Sequence, residues 1–417
     1  MNRRSFVRNT WVFRPQGFLE MLEEKMKYTY GVSAALALLL PLFGTPSMAQ
    51  EPLKIGFIST LSGPQGATGE EMLNAYKLAL EKTGNTLGGV PVELVVGDDQ
   101  AKPQVAVQLA REMIQRDGVQ LFTGTLQGPV TDAVTSLVTP QGRFVIVPVG
   151  ASSNLAGEQC NENLFVAGWS TDTMFEAIGE ALKGKQNVAV IATNYQAGWD
   201  IVAGVKRTYG DALHAELLTT LGQSDFSAEI SQIRASGATS LVIFLPGGDG
   251  IAFMRQFHQS GLGQSVQVYS AGFQADESLF KAIGDGAVDI LTASNWYAAL
   301  DNPANRAFVT AFRERHDATP STVAALAYDA VMMMDAALGA VGGDLSDKEA
   351  LRAALKSTPF ASVRGNVSFG PNHYPVQDFY LARVTKAEDQ KLHSVVTSKI
   401  FEGRADVHAS KCAMGKS

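Results

Sequence analysis

The sequence predicts an α/β protein made of two doubly wound, parallel-sheet lobes. Three observations lead there. Short β-rich runs alternate with helical patterns, which calls for a parallel sheet covered on both faces. The alternating series occurs twice along the chain. One sheet holding all of these strands would be unusually wide, so the two series belong to two lobes.

In chain order, the first strand is expected over 54–58. Thr68 then caps a helix to Lys82, whose residues Met72, Ala75, Tyr76, Ala79 and Leu80 form one apolar stripe at helical spacing. A strand over 92–96 follows. Pro103 opens the next helix at its first position, where a missing N–H costs nothing. Strands over 121–124 and 144–149 flank a short helix. The second series has strands over 188–192, 217–221, 241–245 and 266–270, separated by helices near 198–209, 226–236, 250–260 and 276–283. Helices over 305–316, 321–341 and 348–357 then follow almost without strands. This block is expected to return to the first lobe, which is poorer in helices. Residues 364–370 read as a hairpin edge and 379–384 as a last strand.

Composition narrows the function. Of the 417 residues, 46% are hydrophobic and 18% charged, which is a folding composition rather than a disordered one. The net charge of −7 argues against nucleic-acid binding, which needs a basic face. The apolar run 32–43 follows Lys25 and Lys27 and precedes Ser47-Met48-Ala49, a small-x-small cleavage pattern. Residues 1–49 therefore read as a secretory signal peptide, with Met26 as the natural start and 1–25 as a mis-called upstream extension. A signal anchor is the alternative. No later stretch reads as a membrane span, so an exported, periplasmic chain without stable membrane insertion is expected. In an oxidising compartment Cys160 and Cys412 can pair, the alternative being two unpaired buried thiols.

No metal or phosphate box is present. The six histidines show no i,i+4 pair, and there is no nucleophile elbow, Walker lysine loop or dinucleotide glycine fingerprint. No cofactor is expected, and a binder is favoured over an enzyme. Ligands of open α/β sheets sit beyond the carboxyl ends of the strands. Those loops carry hydroxyls and glycines in the first lobe, including Ser152 and Ser153. They carry Tyr195, Trp199 and Phe273 in the second. Glycine-rich loops that enter helices can cradle a carboxylate, although ordinary caps and turns use the same residues.

Several segments resemble the leucine/isoleucine/valine-binding-protein family of periplasmic substrate-binding components of ABC importers. They are Leu53-Lys-Ile-Gly-Phe-Ile-Ser-Thr-Leu-Ser-Gly-Pro64, Val147-Pro-Val-Gly-Ala-Ser152, Asn194-Tyr-Gln-Ala-Gly198, Asp225-Phe-Ser227 and Ala327-Tyr-Asp-Ala330. The resemblance implies a type I periplasmic binding fold with three crossover strands, near 165–169, 296–300 and 367–375. It implies lobe one over 51–166 and 299–366, and lobe two over 170–295 with 376–417. It also implies a monomer that meets permease subunits. By the same resemblance a ligand carboxylate is held at Gly128, after Leu126 and Gln127, and at Gly150, Ala151 and Ser152. Lobe two contributes Tyr195, Trp199, Gly248, Gly272 and Phe273. The family's ammonium-accepting acid falls at Gly272 or at Phe273, neither of them acidic, and bulk is missing at Ala197, Gly247 and Gly272. An unpaired buried ammonium is costly. A hydrophobic or aromatic carboxylate is therefore expected, with the missing bulk making room for a larger ligand. A branched-chain amino acid remains the alternative, with Asp249 or Asp276 as its partner. A receptor-like sensing module is a third reading.

Overall fold

The computed structural model describes residues 51–388 and 390–414, so the expected signal peptide lies outside the described residues. The first eight strands are β1 (Leu53–Ser59), β2 (Thr86–Leu87), β3 (Val90–Asp98), β4 (Leu121–Thr123), β5 (Phe144–Val147), β6 (Gly150–Ala151), β7 (Leu164–Val166) and β8 (Trp169–Ser170). Six of them form one sheet in the order β2-β3-β1-β4-β5-β7, parallel except for the β2–β3 pair. The short β6 and β8 pair separately, with Gly150 opposite Trp169. The other strands are β9 (Val188–Thr193), β10 (Ala215–Thr219), β11 (Ser240–Phe244), β12 (Gln267–Ala271), β13 (Leu291–Ser294), β14 (Ser368–Phe369), β15 (Pro375–Lys386) and β16 (Leu392–Arg404). Their order is β10-β9-β11-β12-β13-β15-β14, with β16 on β15. The β9–β13 part is parallel, and β15 is antiparallel to β13, β14 and β16.

Two sheets with helices on both faces make two lobes. Their inner strands are buried throughout because both faces are covered: every residue of β5, β9 and β11 is buried, Thr193 and Ser240 included. Helix Thr322–Ala340 lies against helices Gly66–Lys82 and Lys348–Ser357, on the side of the first sheet. It corrects one sequence reading. By length and composition this helix is apolar enough to cross a bilayer, with a mean hydropathy of 1.4. It is instead the buried core helix of a lobe, with side chains covered on nearly all sides.

Other boundaries moved for local reasons. Helix Gly66–Lys82 starts before Thr68, which sits in its first turn rather than capping it. The helix expected over 276–283 shrinks to Phe280–Ile283, because Asp276 closes an irregular turn with Ser278. Helix Thr173–Ala181 and strands β13 and β16 were not anticipated. The β16 residues are mostly exposed or half-buried, so they carry little apolar period. The chain end after residue 384 is thus a long antiparallel hairpin and not a tail after a last strand. Cys160 and Cys412 are disulfide-bonded, and the bond ties the segment after β16 to the loop after helix Ser153–Ala156.

Three chain segments pass between the lobes, and one polar network joins them. Gln377 Nε2 donates to the Gly168 carbonyl at 2.7 Å, and Asn295 Nδ2 donates to Gln377 Oε1 at 3.0 Å. Arg364 Nη1 donates to the same Oε1 at 2.6 Å, while its Nε donates to Asp329 Oδ2 at 2.8 Å. Asp329 also accepts from the Ser362 hydroxyl and the Val363 N–H. Both charges of the Arg364–Asp329 pair are buried. Removing one partner of such a pair leaves an uncompensated charge, at a cost of about 3–5 kcal/mol. Asp329→Ala should lower unfolding free energy by that order in urea titrations, and a change below about 1 kcal/mol would contradict a structural role for the pair.

Candidate ligand-binding site

The loops at the carboxyl ends of the two sheets face each other. On the first lobe, Leu126 and Gln127 lead into helix Gly128–Val138, whose first residue is Gly128. Gly150 and Ala151 form β6, and Ser152 caps helix Ser153–Ala156. The Ser152 hydroxyl is already committed. It donates to Asp132 Oδ1 at 3.1 Å and accepts from the Leu155 N–H at 3.4 Å. In this structure Asp132 takes the hydroxyl proton that was expected to reach a ligand carboxylate. Asp200, from helix Gln196–Tyr209, accepts from the Ser153 N–H at 3.1 Å, the Ser153 hydroxyl at 2.7 Å and Gln196 Nε2 at 2.8 Å. This links the two lobes directly. Burial raises the pKa of both Asp132 and Asp200, and the Asp200 charge raises Asp132 further.

The second lobe contributes three rings of a row that Trp169 completes from the first crossover. Tyr195 stands at the start of helix Gln196–Tyr209 and lies 6.2 Å from Phe244. Phe244 meets Phe273 edge-on at 6.5 Å, and Phe273 stacks on Trp169 at 5.2 Å and 12°. Phe175 and Phe244 meet in a T-shaped pair at 5.8 Å. Burial pushes the Tyr195 phenol up, so it remains neutral. Sequence reading singled out Tyr195 and Phe273 but missed Trp169 and Phe244. Phe244 ends β11 and Trp169 begins β8, and the strand-end position of Phe244 was the available signal. Trp199 stands apart from the row. It is 51% exposed, and its indole N–H donates to Asn194 Oδ1 at 3.0 Å. Gly248, the first residue of helix Gly248–Gln259, is exposed.

At Gly272 and Gly247 the missing bulk does not open room for a ligand. A Cβ on Gly272 would lie 2.7 Å from Ser294 Cβ, so that space belongs to β13. The side chain of Gln65 fills the space beside Gly247. An acid at position 272 would collide with Ser294 before it reached a ligand. The two alternative acids are both engaged: Asp249 accepts from the Gly222 N–H at 2.8 Å, and Asp276 accepts from the Thr322 N–H at 3.2 Å. Among the described residues no group of three or more His, Cys, Asp or Glu side chains could hold a metal ion. Two surface cavities lie elsewhere. One of about 320 Å³, lined by His258, Val268 and Ile290, sits at the amino ends of β12 and β13. Another of about 220 Å³ lies beside Arg364 and Asp378.

The periplasmic binding protein family profile matches residues 52–390. This chain is a periplasmic binding protein. It is similar to Leu/Ile/Val-binding protein homolog 6 of Brucella melitensis, with 29% identity over 348 residues, 81% of this chain and 88% of the relative. A solute-binding protein of an ABC transporter from R. palustris, solved in complex with benzoate, superposes with a TM-score of 0.81 at 26% identity, covering 87% of this chain and 99% of that one. A second, from Rhodopseudomonas palustris BisB5 in complex with 3,4-dihydroxybenzoic acid, has a TM-score of 0.78 at 28% identity, covering 84% and 98%. The fold is thus the two-lobed type I architecture with three crossover strands. The protein is a solute-binding protein of the ABC transporter class and not an enzyme. Membership of the family places it in the periplasm.

Two expectations follow for this periplasmic binding protein. Burial, with Glu71 and Glu277 nearby, pushes the Asp276 carboxyl up to about 7. Its folded pKa is above its unfolded one, so folding takes up a proton between pH about 4 and 7. The stability this contributes is full below the unfolded pKa and is lost as pH rises through about 7. Asp276→Asn, which cannot ionise, should gain melting temperature relative to wild type as pH rises from 4 to 7. Parallel profiles would refute the assignment. Trp199→Ala, outside the aromatic row, should change ligand affinity less than about threefold by calorimetry.

Proposed function

We propose that this periplasmic binding protein delivers small aromatic carboxylates to the permease of an ABC importer. The observation that carries the reading is the ring row of Tyr195, Phe244 and Phe273 from the second lobe and Trp169 from the first crossover, beside a Gly272 position that holds no acid. Aromatic rings suit a planar apolar body, worth about 0.5–1.5 kcal/mol per ring pair beyond area burial. An amino-acid ligand would have to bury its ammonium without a carboxylate at 272, which is costly. The benzoate and dihydroxybenzoate complexes of the two similar solute-binding proteins support the same class.

In this reading, lobe one spans 51–166 with 299–366 and lobe two spans 170–295 with 376–417. The ligand sits between them. The backbone N–H groups at Gly128 and Gly150, at the entry to helix Gly128–Val138 and on β6, face its carboxylate end. Tyr195 and Phe273 face its body. Residues 1–49 direct export, and the mature chain works as a monomer. The Leu/Ile/Val-binding relative favours a second reading, a branched-chain amino acid as ligand.

Calorimetry separates the two. Benzoate and hydroxybenzoates should bind with Kd values at or below the micromolar range, with leucine and valine giving no heat. Tight binding of leucine with silent aromatic acids would reverse the choice. It would point to Asp132 or Asp200, beside Ser152 and Ser153, as the ammonium partner.

A further inference from the structure

Trp169 is an unusual residue for the point it occupies. It opens β8 directly after the first crossover and is only 5% exposed. One ring face is covered by Phe273 of the other lobe, nearly parallel at 12°. Its indole edge lies over Gly150, its partner in the β6–β8 pair: a Cβ at position 150 would come within 2.5 Å of Nε1. Glycine at 150 is therefore what lets the N–H edge sit there. An indole N–H is a donor only, and when buried it normally finds an acceptor. The Trp296 N–H does so, donating to Asn305 Oδ1 at 2.7 Å, and the Trp199 N–H donates to Asn194. No described residue accepts from the Trp169 N–H, and Nε1 is not among the fully covered side-chain atoms that lack a partner, so it is not sealed into the core. It lies beside Gly150, two residues before Ser152, whose own hydroxyl is spent on Asp132.

We propose that the Trp169 indole N–H is the side-chain donor that orients the ligand carboxylate, with Gly150 as the residue that makes room for it. The proposal rests on the aromatic-carboxylate reading and sharpens it. The anion is read by an indole N–H together with backbone amides, and not by the serine hydroxyl. A rigid donor backed by a stacked ring loses little side-chain freedom on binding, so it fixes the plane of a benzoate-like acid better than a rotating hydroxyl does. The Asp132 and Asp200 carboxylates sit on Ser152 and Ser153 and would repel an anion drawn towards those hydroxyls.

The test is benzoate binding by calorimetry to the wild-type protein and to Trp169→Phe, which keeps a ring against Phe273 and removes the donor. A hydrogen bond to a charged group corresponds to about ten- to a hundredfold in affinity. Trp169→Phe should therefore bind benzoate at least about tenfold more weakly, while its unliganded melting temperature stays close to that of wild type. Gly150→Ala keeps the indole but displaces its edge, and should weaken benzoate binding similarly. It serves as the second arm if Trp169→Phe is destabilised. Ser152→Ala should lose less than Trp169→Phe. Affinity of Trp169→Phe or of a stably folded Gly150→Ala within twofold of wild type would overturn the proposal while leaving the ligand class intact. Absence of heat from benzoate and hydroxybenzoates with the wild-type protein itself would remove the ligand class and this proposal together.

Discussion

One hydrogen-bonded side chain, Gln377, holds the two lobes in register. Wherever chains leave one sheet for another, backbone carbonyls lose their ladder partners, and a buried carbonyl left unpaired is costly. Gln377 resolves this at the crossovers. Its amide N–H reaches the Gly168 carbonyl of the first crossing, and its carbonyl collects Asn295 from the second and Arg364 from the third. Arg364 is in turn fixed by Asp329 of the core helix Thr322–Ala340. A single node thus transmits the position of a lobe-one helix to all three connections. The cleft geometry depends on it, because Trp169 follows Gly168 by one residue.

Around the cleft the polar groups are mostly spent within the protein. Ser153 and Asp200 bond across the lobes, as do Thr322 and Asp276. These contacts bring carboxylates into poorly hydrated surroundings, which raises the pKa values of Asp132, Asp200 and Asp276. Near these pairs lies the ring row of Tyr195, Phe244, Phe273 and Trp169. In the proposed reading, those rings take the apolar body of the ligand.

The last segment of the chain works as a brace. Arg404 pairs with Glu176, and Arg207 bridges Glu176 and Asp172. His408 contacts Asp172 at 2.6 Å, and its pKa is raised by that carboxylate. The Asp406 carboxylate accepts from Asn372, which also donates to the Ala156 carbonyl. The disulfide from Cys412 to Cys160 ends this chain of contacts beside the Ser152 cap. Sequence proposed the pairing from cysteine count and export, but the charged groups that the brace aligns come from three separate regions of the chain.

Local physics was enough for much of the molecule. Alternating apolar runs and helical stripes dictate β9, β11 and helix Gly66–Lys82, because a strand buried on both faces and a helix buried on one have periods readable over a few residues. The order of motifs carried the family, and through it the positions Gly128, Gly150 and Ser152. Strand β16 escaped because its residues are mostly exposed and polar, and only pairing with β15 makes them a strand. The site divided in the same way. Tyr195 and Phe273 were legible as aromatics after strands. Three other points were decided only by tertiary contacts between residues far apart in sequence: the engagement of Ser152 by Asp132, the filling of the Gly272 space by Ser294, and the setting of the Trp169 edge over Gly150. Which hydroxyl is free and which glycine is roomy depends on what packs against it, and no local pattern encodes that.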